Sequence, residues 1–243
     1  EDETPLEAEA RSELEGTAGS PRPEVFGAGH PRRAGEDGDD FKKKTLRASE
    51  QDRPDIARAR QIWQRRQSRF DPARLVFLDE SGAKTNMTRL WGRAPRGQRV
   101  HASAPAGRWQ STTMISSIRL DGTTACMTIP GATDTEVFRA YVRDVLCPTL
   151  RRGDLVIMDN LAPHKSDPTL RLIKKAGAKV LFLPAYSPDF NPIEKMWSKV
   201  KTLLRSAEAR TPEELITAIG NALAKITAKD AFNWFVSCGY SFC

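Results

Sequence analysis

The chain has 243 residues, 39% of them hydrophobic, with 38 Lys and Arg against 31 Asp and Glu and a formal net charge of +7. That length allows one large domain or two small ones and is enough to bury a core without staples, and the four cysteines (Cys126, Cys147, Cys238, Cys243) form no CxxC pair that would suggest a zinc ribbon or a disulfide scaffold. Reduced thiols of a cytosolic protein fit better. Apolar runs stop at four or five residues and the Glu-Asp-Glu start has no apolar segment behind it, so neither a membrane span nor a secretory signal is expected.

Charge divides the chain. Residues 1–40 hold 12 acidic and 4 basic side chains, a net of −8, which leaves residues 41–243 with 34 basic and 19 acidic, a net of +15. The Gly-, Pro- and Ser-rich leader, 1–41, reads as disordered, with room for a short helix near Glu7–Leu14. Residues 42–72 form a basic linker: ten of its cations fall between Lys42 and Arg69, and a helix runs from Asp52-Arg-Pro-Asp to about Phe70. Its apolar stripe, Ile56, Ile62, Trp63 and Phe70, is thin. The helix either packs one edge on the main domain or contacts phosphates.

The main domain, 73–243, begins with residues 74–80 (RLVFLDE), apolar on both faces as a central buried strand requires. A polar, Arg-rich stretch follows to Gly107, with one short strand at 89–92. Residues 109–120 and 123–129 are strands joined by Asp121-Gly122, a tight-turn dipeptide, and residues 133–146 are a helix. Then come a buried strand at 154–160 (DLVIMDN), a short helix at 167–176, a third buried strand at 179–183 (KVLFL), and a strongly periodic helix at 191–205. Two further helices cover 212–226 and 229–236. Antiparallel strands first and βαβ units later predict an α/β fold with a mixed sheet and helices on its faces.

Three acids fall at the ends of elements. Asp79 follows four apolar residues of the first strand, Asp159 follows LVIM of the second buried strand, and Glu194 lies in the first turn of the helix after the third. A carboxylate at the exit of a buried strand is costly to leave without a partner, and two on neighbouring strands suggest a shared hard cation such as Mg²⁺. Each has a plainer reading. Asp79 could form a turn before Ser81-Gly82, with Glu80 a rival ligand on the opposite strand face. Asp159-Asn160 could terminate its strand through side-chain bonds to the backbone, and Asn191-Pro-Ile-Glu is a good capping box for its helix. All three acids nevertheless lie at the sheet edge where an α/β fold places its site.

FLDES around Asp79, VIMDN-LAPHK around Asp159 and LPAYSPDFNPIEKMW around Glu194 resemble the DDE transposases of bacterial insertion sequences related to the mariner group. The thirty-four residues between Asp159 and Glu194 match that group's spacing, and the match runs from about Lys42 to Tyr240. The resemblance implies a ribonuclease-H-like fold and two Mg²⁺ or Mn²⁺ ions held by Asp79, Asp159 and Glu194. It implies DNA strand cleavage followed by transfer of the freed 3′-hydroxyl to target DNA, with a homodimer on transposon ends and target DNA as the working assembly. No membrane partner is expected, and the place of action would be the bacterial cytoplasm, at the nucleoid. Such transposases carry a helix-turn-helix region ahead of the catalytic domain, and residues 1–41 have no such periodicity. A truncated, non-enzymatic DNA-binding remnant that regulates a full-length transposase is the alternative.

Asn160 and His164 complete an Asp-Asn-xxx-His pattern that recurs in that family, where His164 could orient a phosphate or a water; a solvated loop histidine beside Lys165 is the alternative. His30 and His101 have no argued role. At 100° per residue, Glu194, Ser198, Lys201 and Arg205 fall on one narrow arc, so Lys201 and Arg205 are expected to continue a DNA-phosphate track.

Overall fold

The computed structural model describes residues 47–240, so the acidic leader and the Lys42–Lys44 run lie outside the described residues. A 3-10 turn, Ser49–Asp52, leads into α1 (Pro54–Gln67), which opens on Pro54, where a missing N–H leaves no bond unmade. Arg53, not Asp52, takes the cap position, and no side chain caps it. The thin stripe enters the core through Trp63, which is buried and donates from Nε1 to the Tyr240 hydroxyl at 3.2 Å. Ile62 stays about half exposed.

Five strands, β1 (Leu75–Lys84), β2 (Ser111–Ile118), β3 (Thr124–Pro130), β4 (Leu155–Met158) and β5 (Lys179–Phe182), form one sheet in the order β3-β2-β1-β4-β5. The first three pair antiparallel, while β1–β4 and β4–β5 are parallel. β1 is central, and its alternate side chains feed two cores. Leu75 and Phe77 meet Met114, Ile157 and Trp197 on one face; Val76 and Leu78 meet Ile115, Phe138 and Val156 on the other. That two-sided burial is why the strand reads as a continuous apolar run, and each of the four side chains contributes about 1.5–3 kcal/mol.

Two expectations need correction. β1 does not end at Asp79 and Glu80; it continues to Lys84, because β2 offers backbone partners through Glu80↔Ile115 and Lys84↔Ser111. Residues 89–92 form no strand. Leu90 is 71% and Trp91 90% exposed, so this stretch has no face to bury, and it lies in the long β1–β2 connection.

The hairpin turn forms as expected: Gly122 takes φ +84, the Thr123 carbonyl accepts from Arg119 N at 3.0 Å, and the Asp121 carboxylate accepts from Thr123 N at 2.9 Å. Helix α2 (Thr135–Tyr141) is capped by Asp134, whose carboxylate accepts from Val137 N, and continues as a π turn, Val142–Leu146. It packs with α3 (Asp167–Lys175) on one face of the sheet. Helices α1, α4 (Pro192–Ala207), α5 (Pro212–Leu223) and α6 (Ala228–Ser237) cover the other. Ile193, Met196, Trp197, Val200 and Leu204 of α4 are buried, as their spacing predicts. No described helix is long and apolar enough to cross a membrane.

Candidate active site

The alternation along β1 places Asp79 on the face of Leu75 and Phe77, toward α4, opposite Ser116 of β2. Its parallel neighbour β4 pairs only with Leu75 to Phe77 and stops at Met158, so Asp79 stands where that side of β1 opens. Asp159 is the first residue beyond β4, and Glu194 is the third residue of α4. All three acids line one cleft of about 380 Å³, together with Asn160, Leu161, Tyr186 and Asn191.

The capping box does not form at α4. Asn191 occupies the cap position without a side-chain bond, and its buried Oδ1 has no partner. At α5 and α6 the Thr211–Glu214 and Thr227–Asp230 boxes do form, so the difference is local to Asn191-Pro-Ile-Glu. Glu194 is therefore left to the cleft.

The three charges sense each other. Burial, then the Glu194 and Asp159 carboxylates, push the Asp79 carboxyl up to about 7. Burial also raises Glu194, with Asp159 adding to the rise and Lys201 opposing it. Asp159 goes the other way: burial would raise it, but His164, the Leu161 amide and Lys165 hold it below the usual carboxylate range. Carboxylates crowded in a cleft with too little positive charge form a donor set that suits a hard divalent cation. Among the described residues, no three His, Cys, Asp or Glu side chains are gathered closely enough to hold one ion as they stand.

His164 is fully buried in the 3-10 turn Ala162–Lys165, not solvated beside Lys165. Its Nδ1 lies 2.6 Å from Asp159 Oδ1 and its Nε2 3.6 Å from Glu80 Oε1, both as ion contacts without hydrogen-bond alignment. Burial lowers the imidazole's affinity for a proton, yet the two carboxylates outweigh it and raise its pKa to about 9. Asn160 donates from Nδ2 to the Leu183 carbonyl, tying the end of β4 to the segment after β5. Asp159 does receive the Leu161 amide at 3.0 Å, as the strand-terminating reading anticipated, and still lines the cleft.

The conspicuous SPDF block after β5 is held by α1. Arg60 donates to both Asp189 oxygens at 2.9 and 2.7 Å and to Ser187 Oγ at 2.8 Å, and its guanidinium lies 4.4 Å from the Phe190 ring centroid. Burial would raise the Asp189 carboxyl, but the Arg60 guanidinium holds it low. Sequence reasoning missed this clamp because a cation on a polar helix face looks like any other. Just before it, Tyr186 takes left-handed backbone (φ 55) and its carbonyl accepts from Gln51 Nε2 at 2.7 Å. Lys201 and Arg205 are half-buried on α4; Lys201 acts on Glu194, and Arg205 lines a second cleft with Arg89, Leu90 and Trp91.

A family model described as DDE superfamily endonuclease matches residues 74–216. Among solved structures, the chain is similar to the Mos1 transposase paired-end complex with left transposon end, at 19% identity and TM-score 0.61 over 82% of this chain and 63% of that one. It is similar to the Mos1 strand transfer complex at 16% identity and TM-score 0.63, over 82% and 62%. Against the Mos1 transposase catalytic domain with raltegravir and Mg, identity is 16% and TM-score 0.52, over 82% of this chain and all of that one. The chain thus spans less than two thirds of the first two. At these identities the likeness establishes the fold, and it bears out the ribonuclease-H-like expectation. A comparison with curated proteins gives no match.

Proposed function

The chain belongs to the DDE superfamily endonucleases, and from that premise we propose that its cleft is the catalytic centre of a transposase, cleaving a DNA strand and joining the freed end to target DNA. One observation carries the reading. Asp79, Asp159 and Glu194, from a strand, a strand exit and a helix start, line one cleft, where burial, with the Glu194 and Asp159 charges added to it, raises the Asp79 carboxyl to about 7. Oxygen donors of that kind fit Mg²⁺ or Mn²⁺, and the similar Mos1 structures include a paired-end complex with Mn and a catalytic domain with Mg.

In this reading Asp79, Asp159 and Glu194 hold two ions. Bound there, such a pair would polarise the scissile phosphate and offset the charge that develops during an in-line displacement. The chain's own residues supply position. The sheet fixes Asp79 and Asp159, the Arg60 clamp and the buried stripe of α4 fix Glu194, and no side chain needs to form a covalent bond to DNA. Lys201 and Arg205 extend a phosphate track along α4. Residues 73–243 are the catalytic domain, 42–72 the basic linker and 1–41 the acidic leader. Two copies assembled on transposon ends are the working unit, a reading supported by the paired-end likeness.

The test is direct. The purified chain is incubated with supercoiled duplex DNA and Mg²⁺ or Mn²⁺. The expected result is salt-sensitive nicking that leaves 3′-hydroxyl ends and stops when the metal is chelated. Tight DNA binding with no nicking under either metal would favour a non-enzymatic regulator instead.

A further inference from the structure

One wholly buried polar side chain beside the cleft has no task in that mechanism. Both ring nitrogens of His164 are shut off from solvent, and the ring lies 4.3 Å from the Phe138 ring centroid. Its partners lie on one strand and just past the end of another. Nδ1 is 2.6 Å from Asp159 Oδ1, beyond β4, and Nε2 is 3.6 Å from Glu80 Oε1, on β1. Glu80 adjoins Asp79 but faces the opposite side of the sheet, the side of Phe138. From this place the imidazole cannot reach a phosphate or a water in the cleft without abandoning both carboxylates.

The contacts on Asp159 are one-sided. Oδ1 accepts the Leu161 amide at 3.0 Å and also meets His164 Nδ1. Oδ2 takes no hydrogen bond from any described residue, while the side chain stays 39% exposed and lines the cleft. We propose that His164 is a positioning residue that pins Oδ1 of Asp159 from behind the sheet, so that Asp159 offers the cleft one oxygen, Oδ2. Glu80 and Phe138 hold the ring in turn. The inference rests on the metal-centre reading above and deepens it, since it names the oxygen that faces the ion and the residues that aim it. Groups that orient a ligating carboxylate typically account for about 10–100-fold in metal affinity.

The experiment measures Mn²⁺ affinity of the whole chain without DNA, from the electron paramagnetic resonance signal of free Mn²⁺, alongside thermal melting. His164→Ala should weaken Mn²⁺ binding about 10–100-fold. His164→Asn places its amide nitrogen near the position of Nδ1 and should restore most of the affinity; His164→Gln places it near Nε2 and should not. A purely structural histidine would give affinities that follow the melting temperatures, with no preference for Asn over Gln, and that result overturns the proposal. Should the His164 variants fail to fold, Glu80→Gln keeps the ring and weakens its rear anchor. A fall of about tenfold is expected there, and unchanged affinity counts against the proposal. Asp159→Ala separates the two levels. If it binds Mn²⁺ like the wild type, the metal-centre reading fails; if it loses Mn²⁺ while His164→Ala keeps it, only the role of His164 fails.

Discussion

Arg60→Ala should destabilise the fold by freeing the SPDF block from α1. The substitution removes a two-pronged ion pair to Asp189, a bond to Ser187 Oγ and a cation over the Phe190 ring. Hydrogen bonds to charged groups contribute about 1.5–3 kcal/mol, but the Asp189 side chain is 49% exposed against 16% for Arg60, so solvent screening discounts the pair toward the lower end. The ring contact adds about 0.5–1 kcal/mol. The sum is about 2–3 kcal/mol, which for a domain of this size lowers Tm by about 4–12 °C. Arg60→Lys keeps the charge and loses the fork, so it should fall between. The assay is thermal melting followed by circular dichroism, with DNA affinity measured across a salt series. An unchanged Tm with a salt slope reduced by about one unit would show that Arg60 is a phosphate contact and that the clamp is not what holds the SPDF block.

The Lys199–Asp230 pair gives an acid signature. Bonds from Lys199 and Thr227 hold the Asp230 carboxyl down to about 2, below its ordinary 3.8, so its stabilisation is complete above about pH 4 and lost as pH falls from 4 to 2. Lys199→Met should flatten that part of a Tm-against-pH profile; an unaltered profile contradicts it. Gly122→Ala adds a Cβ at φ +84 that would meet the Thr227 carbonyl carbon at 3.0 Å, so a loss of about 1–2 kcal/mol in urea unfolding is expected, and wild-type stability contradicts it. The double change Lys201→Ala, Arg205→Ala should reduce the salt slope of DNA binding by about two units if both touch phosphate; an intact slope places them against protein or solvent.

Local patterns made much of this fold legible. The runs VFL and LVIM are buried on both faces, and Asp121-Gly122 makes the turn that its dipeptide favours. The α4 stripe packs at its predicted spacing. What stayed hidden depends on pairing between distant segments. β1 lengthens past Asp79 because β2 supplies partners as far as Lys84↔Ser111, a register no local pattern encodes. Arg89, Leu90 and Trp91 read locally as a short strand but find no strand to join. At the cleft, the spacing of Asp79, Asp159 and Glu194 could be read along the chain, but the contacts of Glu80, His164 and Phe138 could not. They lie across the sheet and far apart in sequence, and the one available signal was the period-two alternation that sends Glu80 to the face opposite Asp79.

The central claim is that Asp79, Asp159 and Glu194 act as one metal centre. It is tested most directly by replacing each with Ala and measuring Mn²⁺-supported nicking of supercoiled DNA beside DNA affinity. The account predicts that each replacement abolishes nicking while DNA binding is kept or strengthened, since a negative charge is removed from a cleft meant for phosphates. Near-wild-type nicking by Glu194→Ala would contradict it, and would return that residue to a structural place at the start of α4.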